Sequence, residues 1–200
     1  MTKPYDRAYF DRWYRGRWRI QSHDEVRRKV MLAVATAEYF LRRPIATVLD
    51  VGAGEGAWYP HLRVVRRRAS YLGIEPSPYA VERFGKERNI RRGTFADLAR
   101  LRLRNPFDLV VCSDVLHYLS GEEIRRGIGE LARLTRGIAF IEVLTAEDEI
   151  VGDLEGLVQR PASWYQRRIE KAGLVFAGPY CWLSSMLREE AGGLEVCREK

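Results

Sequence analysis

Apolar residues recur along this chain with two periods, and stretches of the two kinds alternate. Between residues 24 and 41 apolar side chains return every three or four positions, which is the spacing of one helix face. Short, nearly continuous apolar runs, such as 46–51 and 107–112, are typical of strands buried on both faces of a sheet. The pattern predicts helices over 24–41, 57–66, 78–88, 121–134 and 161–172, and strands over 46–51, 70–75, 90–95, 107–112, 136–144, 174–181 and Leu194 to Cys197.

The alternation of strand and helix predicts the fold class. Apolar strands separated by amphipathic helices indicate an α/β fold, in which a doubly wound, mostly parallel sheet carries helices on both faces. Residues 6–15 precede this pattern as a short aromatic segment, which we expect to form an N-terminal helical extension. Sheets of this kind bind ligands beyond the carboxyl ends of their strands, so residues at those ends are the candidates for a site.

A glycine-rich turn follows the first predicted strand. Residues 47–51 lead directly into Gly52, Gly54 and Gly56. Glycines at such a turn permit positive φ and let a ligand approach the main chain closely. The next strand ends in Glu75, whose two carboxylate oxygens suit the two hydroxyls of a ribose. Together these features predict a site for a nucleoside-containing cofactor.

Asp50, the last acidic residue before the glycines, bears on the class of cofactor. Gly52, Gly54 and Ala57 fit the dinucleotide fingerprint loosely, so a nicotinamide cofactor is one alternative. A carboxylate at this place would repel a pyrophosphate in a partly desolvated site, and it suits a cofactor with a cationic amino group. The other interpretation of Asp50 is a capping or loop-bracing role.

Four segments resemble, in order, the motifs of the class I S-adenosylmethionine-dependent methyltransferases. Residues 48–56 are similar to motif I of that family, written D-x-G-x-G-x-G, and Glu75 matches the acid that ends its second strand. Residues 93–98 look like the segment whose acid contacts the adenine amino group, and 107–119 look like the fourth strand and its following loop. The resemblance spans residues 46–145. It implies a Rossmann-like, seven-stranded sheet whose antiparallel strand the terminal segment could supply, and S-adenosyl-L-methionine as cofactor, with S-adenosyl-L-homocysteine as product.

The resemblance also implies a set of cofactor-binding residues. Asp97 is expected to accept a hydrogen bond from the adenine amino group, with the Leu98 N–H available to the ring; the alternative is that Asp97 caps a helix that begins at Leu98. Asp50 is expected near the cofactor's ammonium, and Glu75 at the ribose. The full predicted set is Asp50, Gly52, Ala53, Gly54, Gly56, Glu75, Pro76, Asp97, Leu98 and Ser113.

A second group of residues is predicted to face the methyl acceptor. His117 is the candidate general base, since an unperturbed imidazole with a pKa near ~6.5 can take a proton at neutral pH; the alternative is that it only packs within its loop. Asp114 and Tyr118 lie in the same loop. The aromatic residues Tyr9, Trp13 and Tyr14 are predicted to form a lid over the cofactor, with packing against the sheet edge as the alternative.

Composition limits the remaining possibilities. With 200 residues and 46% hydrophobic content, the chain is predicted to form a single domain over 1–200: an N-terminal helical cap (1–42), a cofactor-binding half (43–145) and a substrate-side half (146–200). No run approaches the ~20 apolar residues that span a bilayer, and no secretory signal begins the chain, so a cytoplasmic location without membrane contact is expected. The three cysteines are far apart, which predicts no metal site.

Charge raises the question of a nucleic-acid acceptor. Lysine and arginine number 34 against 27 acidic residues, giving a net charge of +7, but the arginines are scattered, many on the polar sides of predicted helices. The loop that starts at Ser113 also lacks the Asn-Pro-Pro-Tyr sequence with which many nucleic-acid N-methyltransferases grip a base. A small-molecule acceptor, methylated on O, N or S, is therefore favoured. RNA or protein acceptors, and a non-catalytic cofactor-binding protein, are the alternatives, and the oligomeric state is not predicted.

Overall fold

The computed structural model describes residues 5–15, 21–149 and 152–197. Residues 1–4 and 16–20 of the predicted N-terminal cap, and 150–151 and 198–200 of the predicted substrate-side half, lie outside the described residues. The helices are α1 (Arg7–Phe10), which continues into a π-helical turn (Asp11–Arg15), α2 (His23–Leu41), α3 (Trp58–Val65), α4 (Pro78–Arg88), α5 (Gly121–Arg133) and α6 (Ala162–Lys171), with short 3₁₀ helices at Phe95–Leu101, Leu116–Tyr118 and Ser185–Leu187.

Seven strands form one sheet. They are β1 (Thr47–Val51), β2 (Ser70–Glu75), β3 (Ile90–Arg92), β4 (Phe107–Ser113), β5 (Thr135–Glu142), β6 (Val175–Gly178) and β7 (Cys181–Leu183). Their order is β3-β2-β1-β4-β5-β7-β6. The pairings among β1 to β5 are parallel, whereas β7 pairs antiparallel with both β5 and β6. The predicted seven-stranded, mostly parallel α/β sheet with a short N-terminal helix is confirmed.

The antiparallel strand lies elsewhere than predicted. Residues Leu194 to Cys197 form turns and no strand, and the Leu194 side chain is fully exposed, so that prediction was wrong. The single strand predicted over 174–181 is instead divided between β6 and β7. Gly178 (φ 131°) and Tyr180 (φ 57°) take left-handed backbone conformations that end an extended run. The chain therefore reverses there, and all three residues of β7 are buried between β5 and β6.

Two apolar layers, one on each face of the sheet, hold the fold together. On one face α2 contributes Val30 and Val34, which belong to the same buried cluster as strand residues such as Val111. On the other face α5 contributes Ile124, Ile128 and Leu131, all buried. These α5 positions are spaced at i, i+4 and i+7, so the helical period itself produces the buried stripe. Both helices begin with capping boxes, formed by Ser22 with Glu25 in α2 and Ser120 with Glu123 in α5.

The strand order determines where a ligand can bind. From β1 the chain moves outward to β2 and β3 on one side, and β4 then starts the other side of the sheet. The crevice beyond the carboxyl ends of β1 and β4 is therefore the switch point of the sheet. Among the described residues, no helix is long and apolar enough to cross a membrane, and no group of three metal-ligating side chains is found.

Candidate cofactor-binding and active site

The glycine loop after β1 is in close contact with its surroundings. Gly52 has φ +78°, and a Cβ there would lie 2.2 Å from the Cγ2 of Val115 in the loop after β4. Gly54 has φ +54°, and a Cβ there would lie 2.9 Å from the hydroxyl oxygen of Tyr14. Both the backbone angle and the space therefore require glycine at these two positions. The loop forms a bare peptide surface that side chains from two other segments approach.

Asp50 lies in β1 beneath this loop and is almost completely buried. Its carboxylate accepts a hydrogen bond of 2.7 Å from the Tyr71 hydroxyl. Burial raises the pKa of Asp50 to about 7, the Tyr71 hydrogen bond acts in the opposite direction, and the charge of Glu75 raises it further. Asp50 is thus a buried acid that titrates near neutral pH, and a cation placed next to it would favour its ionised form.

Glu75, at the end of β2, braces the glycine loop. One carboxylate oxygen accepts the Gly54 N–H at 2.8 Å, and the other accepts the Ser77 N–H at 2.9 Å. Burial raises the pKa of Glu75, and these two N–H donors partly offset the effect. A carboxylate oxygen has a second lone pair, so each can still accept a hydrogen bond from a ribose hydroxyl. The ribose role remains a prediction.

Asp97 is held by arginines. Its carboxylate accepts a 2.8 Å hydrogen bond from Arg126 and forms an ion pair with Arg100 at 3.2 Å. The side chain of Thr94 accepts the Asp97 N–H and caps the 3₁₀ helix that starts at Phe95. The alternative in which Asp97 is itself a cap is therefore wrong. Its predicted contact with the adenine amino group stays a prediction.

A cavity of about 440 Å³ opens beyond the carboxyl ends of β1 and β4. Most of the predicted residues on the methionine and acceptor side line it together: Asp50, Gly52, Ala53, Ser113, Asp114, His117, Tyr118, Tyr9, Trp13 and Tyr14. The predicted residues on the adenosine side are described but do not line it: Gly54, Gly56, Glu75, Pro76, Asp97 and Leu98. The structure thus assembles one half of the predicted site around a single cavity.

The N-terminal segment packs over part of the adenosine side of the predicted site. The Phe10 ring is buried, with its centre 4.9 Å from that of Tyr14 and 5.6 Å from that of Tyr79 at the start of α4. The hydroxyl of Ser77 donates a 2.6 Å hydrogen bond to the carbonyl of Tyr5. Because Tyr14 also lies against Gly54, this segment shields the region above Gly54 and Ser77 from the cavity.

His117 is oriented by two backbone contacts. Its Nδ1 accepts the Leu144 N–H at 3.2 Å, and its carbonyl accepts the Val158 N–H at 2.8 Å. An imidazole whose Nδ1 is an acceptor carries its single proton, in the neutral form, on Nε2. As arranged, the ring therefore presents an N–H donor, whereas a general base must present a lone pair. The role of His117 as a base stays a prediction.

Asp114 follows β4 directly and faces the same cavity. Its backbone is left-handed, with φ 59°, and its N–H donates to the Glu142 carbonyl at 3.1 Å. The side-chain amide of Gln21 donates a hydrogen bond to its carboxylate. Burial raises the pKa of Asp114 to about 7, the negative charge of Glu142 adds to this, and the ammonium of Lys29 opposes it.

Several cavity residues were missed by sequence reasoning. Gln21 comes from just before α2 and meets Asp114 across 93 positions of the chain. Arg15 forms an ion pair with Glu55, which follows Gly54 in the glycine loop. Asp153 lies in the loop after β5, and its carbonyl accepts the Tyr118 hydroxyl at 2.9 Å. No local pattern predicts the Gln21 contact.

Comparison with known proteins agrees with this geometry. Residues 49–137 match a family described as "Methyltransferase domain". A search of curated proteins finds no match. Among solved structures, an O-methyltransferase family protein from Burkholderia thailandensis is 18% identical with a TM-score of 0.57, and the match covers 88% of this chain and 64% of that one. Magnesium protoporphyrin IX methyltransferase (ChlM) from Synechocystis PCC 6803, with bound SAH (S-adenosylhomocysteine), is 17% identical with a TM-score of 0.61 and coverage of 89% and 92%. The [4+2]-cyclase SpnF is 24% identical, with a TM-score of 0.54 and coverage of 82% and 62%.

The fold, the glycine loop with its two buried acids and the family match lead to one class. Residues 49–137 are similar to the methyltransferase-domain family, and the seven-stranded sheet has the fold of solved S-adenosylmethionine-dependent methyltransferases. The cofactor of this class is S-adenosylmethionine. At identities below one quarter, the structural matches support the shared fold, and they do not identify the acceptor.

Proposed function

We propose that the protein transfers a methyl group from S-adenosylmethionine to O, N or S of a small molecule. One observation carries this proposal: residues from the ends of β1 and β4, the loop after β4 and the N-terminal segment line a single cavity of about 440 Å³. That volume is in the range of small-ligand pockets.

The residues of this chain fit the cofactor. The positive φ angles of Gly52 and Gly54 and the close approach of Val115 and Tyr14 require glycine at both positions, and the main chain of this loop would contact the cofactor. Asp50 would face the cationic amino group of the methionine part, and Glu75 would accept the ribose hydroxyls. When bound, the cofactor supplies an already activated methyl group on a positively charged sulfur.

The protein's own contribution is then positioning and exclusion of water. The segment that carries Phe10 and Tyr14 closes over the glycine loop, and Tyr118 with Asp153 closes the cavity on the acceptor side. A desolvated, well-oriented acceptor can react without a nucleophilic side chain or a metal ion on the protein.

Two measurements test the proposal. Calorimetric titration is expected to show binding of S-adenosylhomocysteine and no binding of NAD or NADP; the opposite result would remove it. Incubation with methyl-labelled S-adenosylmethionine and a panel of small amines, phenols, carboxylates and thiols is expected to label one chemical class. Cofactor binding without labelling of any acceptor would favour another chemistry on this fold, as the structural match to a [4+2]-cyclase illustrates.

RNA and protein acceptors form the second part of the test. A polyanionic acceptor would bind through released counterions, so its affinity would fall steeply with added salt. We expect affinity for RNA to be weak and methylation of the small-molecule panel to be nearly independent of salt. We further propose a cytoplasmic location for the protein, in keeping with a small-molecule acceptor.

A further inference from the structure

We propose that Asp114 receives the acceptor's proton and that the acceptor nucleophile is the nitrogen of an amine. This inference rests on the proposed methyl transfer and specifies its substrate class. It replaces His117 with Asp114 as the group that handles the proton. Both residues line the cavity, so the choice between them depends on what each presents to it.

The neutral His117 ring carries its proton on Nε2, whereas Asp114 carries a carboxylate. The Nδ1 of His117 already accepts the Leu144 N–H, so the neutral ring carries its proton on Nε2. Taking up a second proton would require Nδ1 to give up that backbone hydrogen bond. The carboxylate of Asp114 holds the Gln21 amide on one oxygen, Oδ2, and an ionised carboxyl has acceptor capacity on both of its oxygens.

The backbone holds Asp114 in place. A left-handed φ of 59° is uncommon for a residue other than glycine, and such conformations persist where the surrounding structure over-determines them. Here the Asp114 N–H donates to the Glu142 carbonyl at the end of β5. This contact and the Gln21 amide hold Asp114 at the cavity that it lines.

The charges around Asp114 favour a cation. Three charged groups face it: Glu142 from β5, and Lys29 and Glu25 from α2. Lys29 is already paired with Glu142 at 2.6 Å. When Asp114 is ionised, the negative charges around it therefore outnumber the single positive charge of Lys29, in a desolvated region. A bound ammonium ion would neutralise this excess negative charge, and a bound carboxylate would increase it.

The other charged residues that line the cavity do not cancel the negative charge around Asp114. Its lining includes the acids Asp50, Glu55 and Asp153 and the cations Arg15 and Arg88. Arg15 is paired with Glu55, and Arg88 donates to the Glu55 carbonyl at 2.7 Å. The cationic side chains thus lie on the glycine-loop side of the cavity, and Asp114 lies on the side of β4 and β5.

The proton step is balanced within the site. An amine that enters as an ammonium ion loses one N–H bond, whose electron pair stays on nitrogen, while the proton forms an O–H bond on Asp114. Two opposite charges disappear in this transient step, and the desolvated cavity lowers the cost of that proton transfer relative to water. The nitrogen lone pair can then form the N–C bond as the C–S pair passes to sulfur, and Asp114 releases its proton to solvent after the product leaves.

The experiment compares matched amines and alcohols. Benzylamine, 3-phenylpropylamine and 1,4-diaminobutane are titrated against the protein saturated with S-adenosylhomocysteine, beside the corresponding alcohols. At least one amine is expected to bind about tenfold or more tighter than its alcohol, the ratio given by one charge-assisted hydrogen bond. Asp114→Asn is expected to remove that preference, whereas the variant Glu122→Gln, at an exposed position of α5, should retain it.

The pH dependence gives a second readout that does not require turnover. The amine preference should be full above pH 7 and should be lost as the pH falls and Asp114 becomes protonated, while alcohol binding stays level. In ¹³C NMR spectra of carboxyl-labelled protein, the Asp114 signal, assigned by its absence in Asp114→Asn, should titrate near pH 7 and shift to lower pH when amine is bound.

Equal binding of amines and alcohols, absence of amine binding, or an amine preference that survives Asp114→Asn would each overturn the inference. Because S-adenosylhomocysteine binding is measured first, in the wild type and in Asp114→Asn, a failure of the proposed cofactor is distinguishable. If the cofactor binds and only phenols or thiols become methylated, methyl transfer stands and the assignment of an amine acceptor falls.

Discussion

The hydroxyl of Tyr71 donates a 2.7 Å hydrogen bond to the carboxylate of Asp50 beneath the glycine loop. Both side chains are buried, and burial raises the pKa of Tyr71 as well as that of Asp50. The hydrogen bond favours the ionised form of Asp50 and so opposes the effect of burial. These two opposed effects leave the pKa of Asp50 at about 7, within the physiological pH range.

This balance predicts a pH-dependent affinity for S-adenosylhomocysteine. The amino group of the ligand is cationic near neutral pH and is expected to bind the ionised form of Asp50. Because the pKa of Asp50 is raised in the folded protein, affinity should be full above pH 7 and should fall by up to about tenfold per unit below it. Calorimetry across that range measures the effect, and Asp50→Asn should give a lower, nearly constant affinity.

Tyr71→Phe should move this profile toward higher pH. Removal of the donated hydrogen bond raises the pKa of Asp50, so the variant should bind more weakly than wild type at pH 7 and nearly equally at pH 9. Tyr39→Phe, which removes an exposed hydroxyl that donates to Glu195, is the matched control and should leave the profile unchanged. A Tyr71→Phe profile that overlays the wild-type curve would show that Asp50 does not set the pH dependence.

Gly52→Ala should be destabilising and should abolish cofactor binding. The new Cβ would lie 2.2 Å from Val115 and would require an L-residue at φ +78°. Strain of this kind costs on the order of 1–3 kcal/mol, which denaturant unfolding can measure. Gly129→Ala is the control: this glycine lies in α5 with nothing within 4 Å of a new Cβ, so the change should stabilise by roughly 0.5–1 kcal/mol. Equal changes in the free energy of unfolding for Gly52→Ala and Gly129→Ala would contradict the requirement for glycine at position 52.

Glu75→Ala should weaken S-adenosylhomocysteine binding by at least about 1.5 kcal/mol, the scale of a hydrogen bond to a charged group. The carboxylate also accepts the N–H groups of Gly54 and Ser77, so unfolding free energy must be measured beside affinity. Glu75→Gln separates the two roles poorly, because its amide would point a donor at another donor. The exposed Glu122→Ala should change neither quantity, and unaltered affinity in Glu75→Ala would exclude the ribose role.

Local sequence accounts for the parts of the site that one segment builds. The glycine loop, the acids at the ends of β1 and β2 and the loop after β4 were predicted because strand, turn and helix follow one another within a few residues. The general position of the site also followed, since all these segments end strands of one parallel sheet. The helix face of α5 was equally predictable from its 3.6-residue period.

Contacts between distant segments could not be predicted in this way. No period or motif indicates that Gln21 meets Asp114, that Tyr71 meets Asp50, or that Arg126 binds the carboxylate of Asp97. The reversal at Tyr180 was missed for a related reason, because a left-handed tyrosine has no sequence signature comparable to that of glycine. The pKa shifts depend on such contacts and on burial, so they too required the folded structure.

The N-terminal segment provides the last prediction. Phe10 holds this segment through ring contacts with Tyr14 and Tyr79, and its side chain is almost completely buried. Phe10→Ala removes that anchor, so the segment should detach more often while the sheet stays folded, which is local rather than global unfolding. Hydrogen exchange of amides in residues 6–14 should accelerate by about tenfold for each ~1.4 kcal/mol of docking free energy that is lost.

The same change should speed dissociation of S-adenosylhomocysteine, because the segment lies over the glycine loop. Tyr39→Ala, at an exposed aromatic residue of α2, is the control and should leave both exchange and dissociation as in wild type. If Phe10→Ala accelerates exchange and leaves the dissociation rate unchanged, the segment packs on the sheet without covering the ligand. A cofactor that leaves faster in step with faster exchange would instead establish the segment as the lid that keeps water from the reacting methyl group.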